Sequence, residues 1–152
     1  MPVQHRQKWL SCRSCNRLHG RPLPLAQARA LALRALAGMA ALLVHNQRVH
    51  ADVRNALRSP NPSEHAACVL CVLELAAVSP DFAAGSLPLL ARQVTALETP
   101  QGLREVLISA LAHMHRVPPT ATLQAREVLL QTQRRFPQAR VVAACVRAMS
   151  LL

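Results

Sequence analysis

The sequence predicts an all-α fold made of stacked helix pairs, an α-solenoid. Three observations carry that expectation. Leu, Ala, Arg and Gln, strong helix formers, dominate the chain, which lacks the alternating runs of Val, Ile, Thr and aromatic residues that strands require. Helix-opening residues recur at a near-constant spacing: Leu23-Pro24, Ser63-Glu64, Thr99-Pro100 and Phe136-Pro137 lie about 38 residues apart. An apolar echo keeps the same period, since Leu36, Leu73 and Leu111 are separated by 37 and 38 residues. Repeats of roughly 33 to 47 residues belong to architectures whose units cannot bury an apolar face alone and stack to share one core.

Taken in order, residues 1–22 stand apart as a basic, flexible appendage: polar, with two cysteines, Gly20 and Pro22, and no helical stripe. Residues 23–152 carry the repeats. From Pro24 a first amphipathic helix is expected, with Leu25, Ala28, Ala32, Leu36, Met39 and Leu43 on one face at steps of three and four, and Arg29 and Arg34 off it. A turn at His45-Asn46 leads to a shorter helix, Arg48 to Arg58, that turns Val49, Val53 and Leu57 inward until Ser59-Pro60-Asn61-Pro62 stops it.

Ser63 is the expected N-cap of the next helix, which is apolar almost all round from Ala66 to Val78 with Glu74 as its one charge, as suits a unit packed between neighbours. Ser79-Pro80-Asp81 reads as a turn, and Ser86 with Pro88 as the start of a helix through Leu97, with Gly85 dividing two short pieces. Thr99-Pro100 is expected to cap a helix that points Leu103, Leu107, Ala110, Leu111 and Met114 inward and closes at Pro118-Pro119. Thr120 or Thr122 restarts the chain, the helix ends near Arg135, and Pro137 begins a last one with Val141, Val142, Cys145 and Met149 on one face and Arg140 and Arg147 turned away. That helix closes on Leu151-Leu152 without a polar cap. Solenoid ends are normally polar, so a fragment or short isoform of a larger repeat protein, or a homodimer through this helix, is expected.

Composition narrows the function classes. At 152 residues and 51% hydrophobic the chain suits one domain with a real core, and with only Trp9, Phe82 and Phe136 as aromatics that core must rest on close Leu, Ala, Val and Met contacts. The net charge of +11 sits mostly in residues 1–58, which hold ten of the eighteen cations and a single acid, Asp52. Arginine suits carboxylate and phosphate, so anionic partners are expected, although a GC-rich coding bias would also favour Arg over Lys. The longest apolar run, Ala35 to Val44, falls well short of the roughly 20 residues of a membrane-spanning helix, and Met1 to Gly20 has no apolar signal region. The expectation is a soluble intracellular protein, cytoplasmic or nuclear. The Arg-bearing start, free of acids up to Asp52, is also compatible with a mitochondrial presequence.

Asp52-Val53-Arg54-Asn55-Ala56-Leu57 resembles the pattern that opens the second helix of a HEAT unit, and Pro137 to Ala144 is similar to it. The resemblance, to ARM/HEAT-type repeats as a class, covers residues 23–152. It implies a right-handed α-solenoid of about three and a half antiparallel helix-hairpin repeats, with second helices lining a concave face. Arg48, Arg54, Arg58, Arg92, Arg126 and Arg134 would then lie along one groove suited to an acidic protein segment. The plain alternative is that they form the solvated face of helices.

Cys12-Arg13-Ser14-Cys15 has zinc-ligand spacing, and Cys12, Cys15 and His19, with His5 nearby, are the candidate metal ligands. The second pair, Cys68 and Cys71, would complete a four-thiolate site but falls inside the most apolar helix, where free cysteine is a small core residue. Cys145 reads as core, and His45, His50, His113 and His115 as surface histidines. No phosphate loop, nucleophile elbow or carboxylate pair is present, so neither catalysis nor a cofactor is expected. The leading expectation is a non-catalytic protein-interaction scaffold, whose partner is an acidic segment or further helical repeats. The alternative is nucleic-acid association through Arg6, Lys8, Arg13, Arg17, Arg21 and Trp9 of the basic N-terminal third.

Overall fold

The computed structural model describes residues 25–152, and every regular element among them is helical. Seven α-helices follow one another: α1 Leu25–Gly38, α2 Gln47–Ala56, α3 Pro62–Val78, α4 Pro80–Thr95, α5 Gln101–Ala112, α6 Pro119–Arg135 and α7 Ala139–Leu151, with short 3-10 turns at Ala40–Leu42 and His113–Arg116. Their packing alternates. The odd helices pack in a row, α1 on α3, α3 on α5 and α5 on α7, while α2 packs on α4 and α4 on α6. A two-row order of this kind is what stacked helix pairs produce.

Contacts along each row recur at the spacing read from the sequence. Arg29 of α1 meets Glu64 of α3 at 3.9 Å and Arg140 of α7 meets Glu105 of α5 at 3.2 Å, each pair 35 residues apart. The Gln93 amide donates to the Leu57 carbonyl, 36 residues away, at 3.1 Å. Arg116 donates to the Ala77 carbonyl, 39 residues away, at 2.8 Å.

Local chemistry explains where the helices begin. Asn46 Oδ1 accepts from Val49 N at α2, and Asn61 Oδ1 accepts from Ser63 N and Glu64 N at α3. The cap of α3 is therefore Asn61 and not Ser63, because Pro62, with fixed φ and no N–H to satisfy, belongs at the first helical position. Ser79 repeats the arrangement before Pro80, its Oγ accepting from Phe82 N and donating to the Val44 carbonyl.

Ser79-Pro80-Asp81 is thus a helix start, and α4 runs unbroken through Gly85 and Pro88 where two short pieces were expected. Pro88 is exposed, so the ladder bond it removes is lost on the face open to water, where it costs least. Thr99 does not cap α5; its hydroxyl turns back to the Gln93 carbonyl at 2.7 Å and closes α4. Pro119 itself opens α6, while Thr122 binds back to the Met114 carbonyl, and α7 begins at Ala139, two residues after Pro137.

The core runs the length of the stack. Val53 from α2 and Leu57 just after it, Ala67 to Val69, Cys71, Val72 and Leu75 from α3, and Phe82, Leu87, Leu90 and Val94 from α4 fill its middle, as the near-continuous apolar run of α3 required. The stripe expected on α1 is displaced: Ala30 and Leu33 are buried, whereas Leu25 and Met39 are exposed, and Arg29 is drawn inward by the buried Glu64. Helix α1 also stops at Gly38, short of Leu43.

Candidate protein-interaction surface

Five of the six expected groove arginines lie within the even helices, which form one row: Arg48 and Arg54 on α2, Arg92 on α4, and Arg126 and Arg134 on α6; Arg58 follows α2 by two residues. Five are exposed and none of the six enters an ion pair among the described residues. Arg54 differs. It is half-buried, its guanidinium carbon 5.8 Å from the Phe82 ring centre, and its Nη1 lies only 3.0 Å from where a Cβ on Gly85 would stand. It bridges α2 to α4 across a notch that Gly85 leaves open, with its stem spent on packing.

The even row also carries Asp52, Asp81 and Glu127, so it has a basic excess without being free of acids. At the α1–α2 corner an open recess of about 610 Å³ is lined by Leu42, His45, Asn46 and Arg48 among others. It holds no nucleophile and no carboxylate.

The residues that do most of the polar work were not singled out from the sequence. Arg104 is only 4% exposed. Its Nε donates to the Val94 carbonyl at 3.1 Å, its Nη2 to the Ala96 carbonyl at 2.8 Å, and its guanidinium lies 3.5 Å from the Phe136 ring centre. The last carbonyls of a helix have no partner within it, and Arg104 supplies them for α4 while Phe136 covers its face. Burial lowers its pKa from the ordinary value, with Arg135 nearby adding to the shift. The signal was present: Arg104 holds a stripe position with Leu107, Ile108 and Leu111, at spacings that put all four on one face.

His50 also departs from expectation, being fully buried and not a surface histidine. Its Nε2 lies 3.0 Å from the Leu43 carbonyl, and its ring meets Phe82 edge-on with centres 5.1 Å apart. Burial pushes its pKa down. His113 is half-buried with its pKa lowered by burial and by His115, while His45 and His115 are exposed as expected.

Cys68 and Cys71 are wholly buried, as the apolar setting of their pair implied. The Cys68 thiol donates to the Val53 carbonyl at 3.2 Å, and burial raises its pKa far above the usual thiol value. Cys71 is pushed up to about 12 by burial, with Glu74 adding to it. Neutral thiols are poor ligands and poor nucleophiles, so this pair is packing. Cys12, Cys15, His19 and His5 lie outside the described residues. Among the described residues no three His, Cys, Asp or Glu side chains gather as a metal site, and no helix is long and apolar enough to cross a membrane.

Residues 26–152 match the family described as Integrator complex subunit 7, N-terminal. Over 125 residues, 82% of this chain, it is 32% identical to Integrator complex subunit 7 of Bos taurus and 31% identical to that of Gallus gallus, and over the same span 30% identical to that of Drosophila melanogaster. It spans 12 to 13% of the length of these relatives. The match starts one residue after the first described helix opens and includes all seven helices, so the folded stack and the shared sequence coincide, and the chain belongs to the Integrator complex subunit 7 N-terminal family.

Proposed function

We propose that this chain is a non-catalytic scaffold element of a multi-protein assembly, an ARM/HEAT-like solenoid over residues 23–152 that holds a protein partner on its even-helix face. The observation that carries the reading is the joining of a family whose relatives are named as subunits of the Integrator complex to an architecture in which the polar groups are spent on closing helix ends. An arginine that caps carbonyls and a cysteine that packs are not free for catalysis. Arg48, Arg58 and Arg92 are exposed and outside any ion pair among the described residues, and their guanidinium groups suit carboxylates. Such a role is intracellular, in the cytoplasm or nucleus.

Affinity purification of the tagged full chain, scored for Integrator complex subunits, tests this. The wild type is expected to carry them and the Arg48→Glu/Arg58→Glu/Arg92→Glu variant to lose them. Equal recovery with both would end the groove reading, and no recovery with either would end the scaffold reading for that complex.

A second reading is favoured by one observation, the ten cations against one acid in residues 1–58. Residues 1–22 would then add phosphate contacts to nucleic acid, and the affinity of the full chain for single-stranded RNA should fall steeply with salt and be lost when those residues are removed.

A further inference from the structure

We propose that Ser59 is a phosphorylation site for a proline-directed protein kinase, and that its phosphate cancels the basic excess around the end of α2 and so releases an acidic partner. The modification stands on the α2–α3 loop alone; the release rests on the groove reading above and adds its regulation.

The chain holds three Ser-Pro or Thr-Pro pairs, Ser59-Pro60, Ser79-Pro80 and Thr99-Pro100. Their hydroxyls are in different settings. Ser79 is 1% exposed, its Oγ accepting from Phe82 N and donating to the Val44 carbonyl, and Thr99 is 7% exposed with its hydroxyl on the Gln93 carbonyl at 2.7 Å. Ser59 is half-buried between the exposed Arg58 and Pro60. Its Oγ accepts from Asn61 N at 3.3 Å, and its hydroxyl proton has no acceptor among the described residues.

The backbone suits a kinase as well. Residues 57–61 join α2 to α3 outside either helix, and Pro60 biases Ser59 toward the extended backbone in which a kinase takes its acceptor. The transfer needs a nucleoside triphosphate. Ser59 Oγ attacks the γ-phosphorus of ATP, an Oγ–P bond forms, and the bond from that phosphorus to the β–γ bridging oxygen breaks. ADP leaves with the electron pair, and the hydroxyl proton passes to the base of the kinase.

The consequence is electrostatic. From Gln47 to Pro60 the chain carries Arg48, Arg54 and Arg58 against Asp52, a net of +2 with His50 neutral. A phosphoserine brings about −1.5 to −2 at neutral pH, which takes this stretch close to zero. Arg58 precedes the phosphate directly, and a guanidinium engaged by phosphate is withdrawn from carboxylates. The Gln93 amide holds the Leu57 carbonyl at 3.1 Å, which ties the same stretch to α4 beside Arg92. The new charge thus opposes the arginines that the groove reading uses.

The full chain and a synthetic peptide of residues 55–63 are treated with a mitogen-activated protein kinase and Mg-ATP, and the phosphate is located by tandem mass spectrometry. Both are expected to carry it on Ser59, with Ser79 and Thr99 unmodified and the Ser59→Ala chain inert. A peptide that is modified beside a chain that is not overturns the proposal, because the fold then withholds the hydroxyl. Failure of both, or phosphate on Ser79 or Thr99 in place of Ser59, overturns it too.

Binding of an all-glutamate peptide is then read by fluorescence anisotropy. Phosphorylation should weaken it by about tenfold, while Ser59→Ala taken through the same treatment should bind as the untreated wild type does. An unchanged far-ultraviolet circular dichroism melt supports an electrostatic cause, and a melt that collapses on modification overturns the release. Affinity that phosphate leaves alone but Arg48→Glu/Arg58→Glu/Arg92→Glu abolishes overturns the release and leaves the groove reading standing. If that triple variant binds as tightly as the wild type, the groove reading falls and the release falls with it.

Discussion

Helices α3 and α5 occupy the same place in the architecture, each in the odd row with a neighbour before and after it, yet they close their surroundings by different chemistry. α3 is sealed by apolar burial: Ala67, Cys68, Val69, Cys71, Val72 and Leu75 have essentially no exposure, and even its thiols stay neutral. α5 puts a guanidinium at a stripe position among Leu107, Ile108 and Leu111, and uses it to satisfy the end of α4. A buried cation is tolerable there because its donors meet carbonyls that need them and its face meets Phe136. The apolar helix confers strength; the polar one ties three helices, α4, α5 and the end of α6, to one geometry.

The largest effect should come from opening the apolar side. Leu75→Ala, at a position with no exposure, is expected to cost about 4 kcal/mol in urea unfolding, with the m-value kept. Arg104→Met tests the polar side. It keeps much of the volume but orphans the Val94 and Ala96 carbonyls, and should cost about 3 kcal/mol, with Arg104→Lys recovering only part because an ammonium lacks the planar fork. If Arg104→Met were neutral, α5 would be an apolar helix with an incidental arginine and the contrast would dissolve.

His50 gives a smaller and pH-dependent effect. Its folded pKa lies below the unfolded value near 6.5, so the unfolded chain takes the proton first as pH falls. Its contribution is intact above pH 6.5 and is lost as the pH drops through the folded value, with a slope of at most one proton, about 1.4 kcal/mol per pH unit. His50→Phe should flatten the dependence of melting temperature on pH in that range. The smallest change is a gain: a Cβ on Gly102 meets nothing within 4 Å, so Gly102→Ala in α5 should stabilise by about 0.5 kcal/mol.

Much of the fold was legible because its signals are local. The helical composition, the period near 38 residues, and the Pro, Asn and Ser that start helices act within a few positions of themselves, and the contacts at 35 to 39 residues are the period made physical. Helix starts slipped where two local signals competed. Pro62 at the first helical position moved the cap from Ser63 to Asn61, and Ser79-Pro80 started a helix where a turn was expected, which put Pro88 inside the helix it was expected to open. The basic even row was legible as a set of residues. Its division was not, since Arg54 packs on Phe82 while Arg126 and Arg134 flank exposed leucines.

By itself the sequence determined that the chain is helical and that α3 is buried on several sides, because propensity and a nearly uncharged run each state these without reference to a neighbour. Only the tertiary structure decided which face of α1 turns inward, that Arg104 and His50 are inside, and which arginines pair with other groups among the described residues. Those outcomes depend on carbonyls, carboxylates and rings brought from other helices. For Arg104, the stripe position alone cannot tell a misplaced surface residue from one that the end of α4 and the Phe136 ring were waiting to receive.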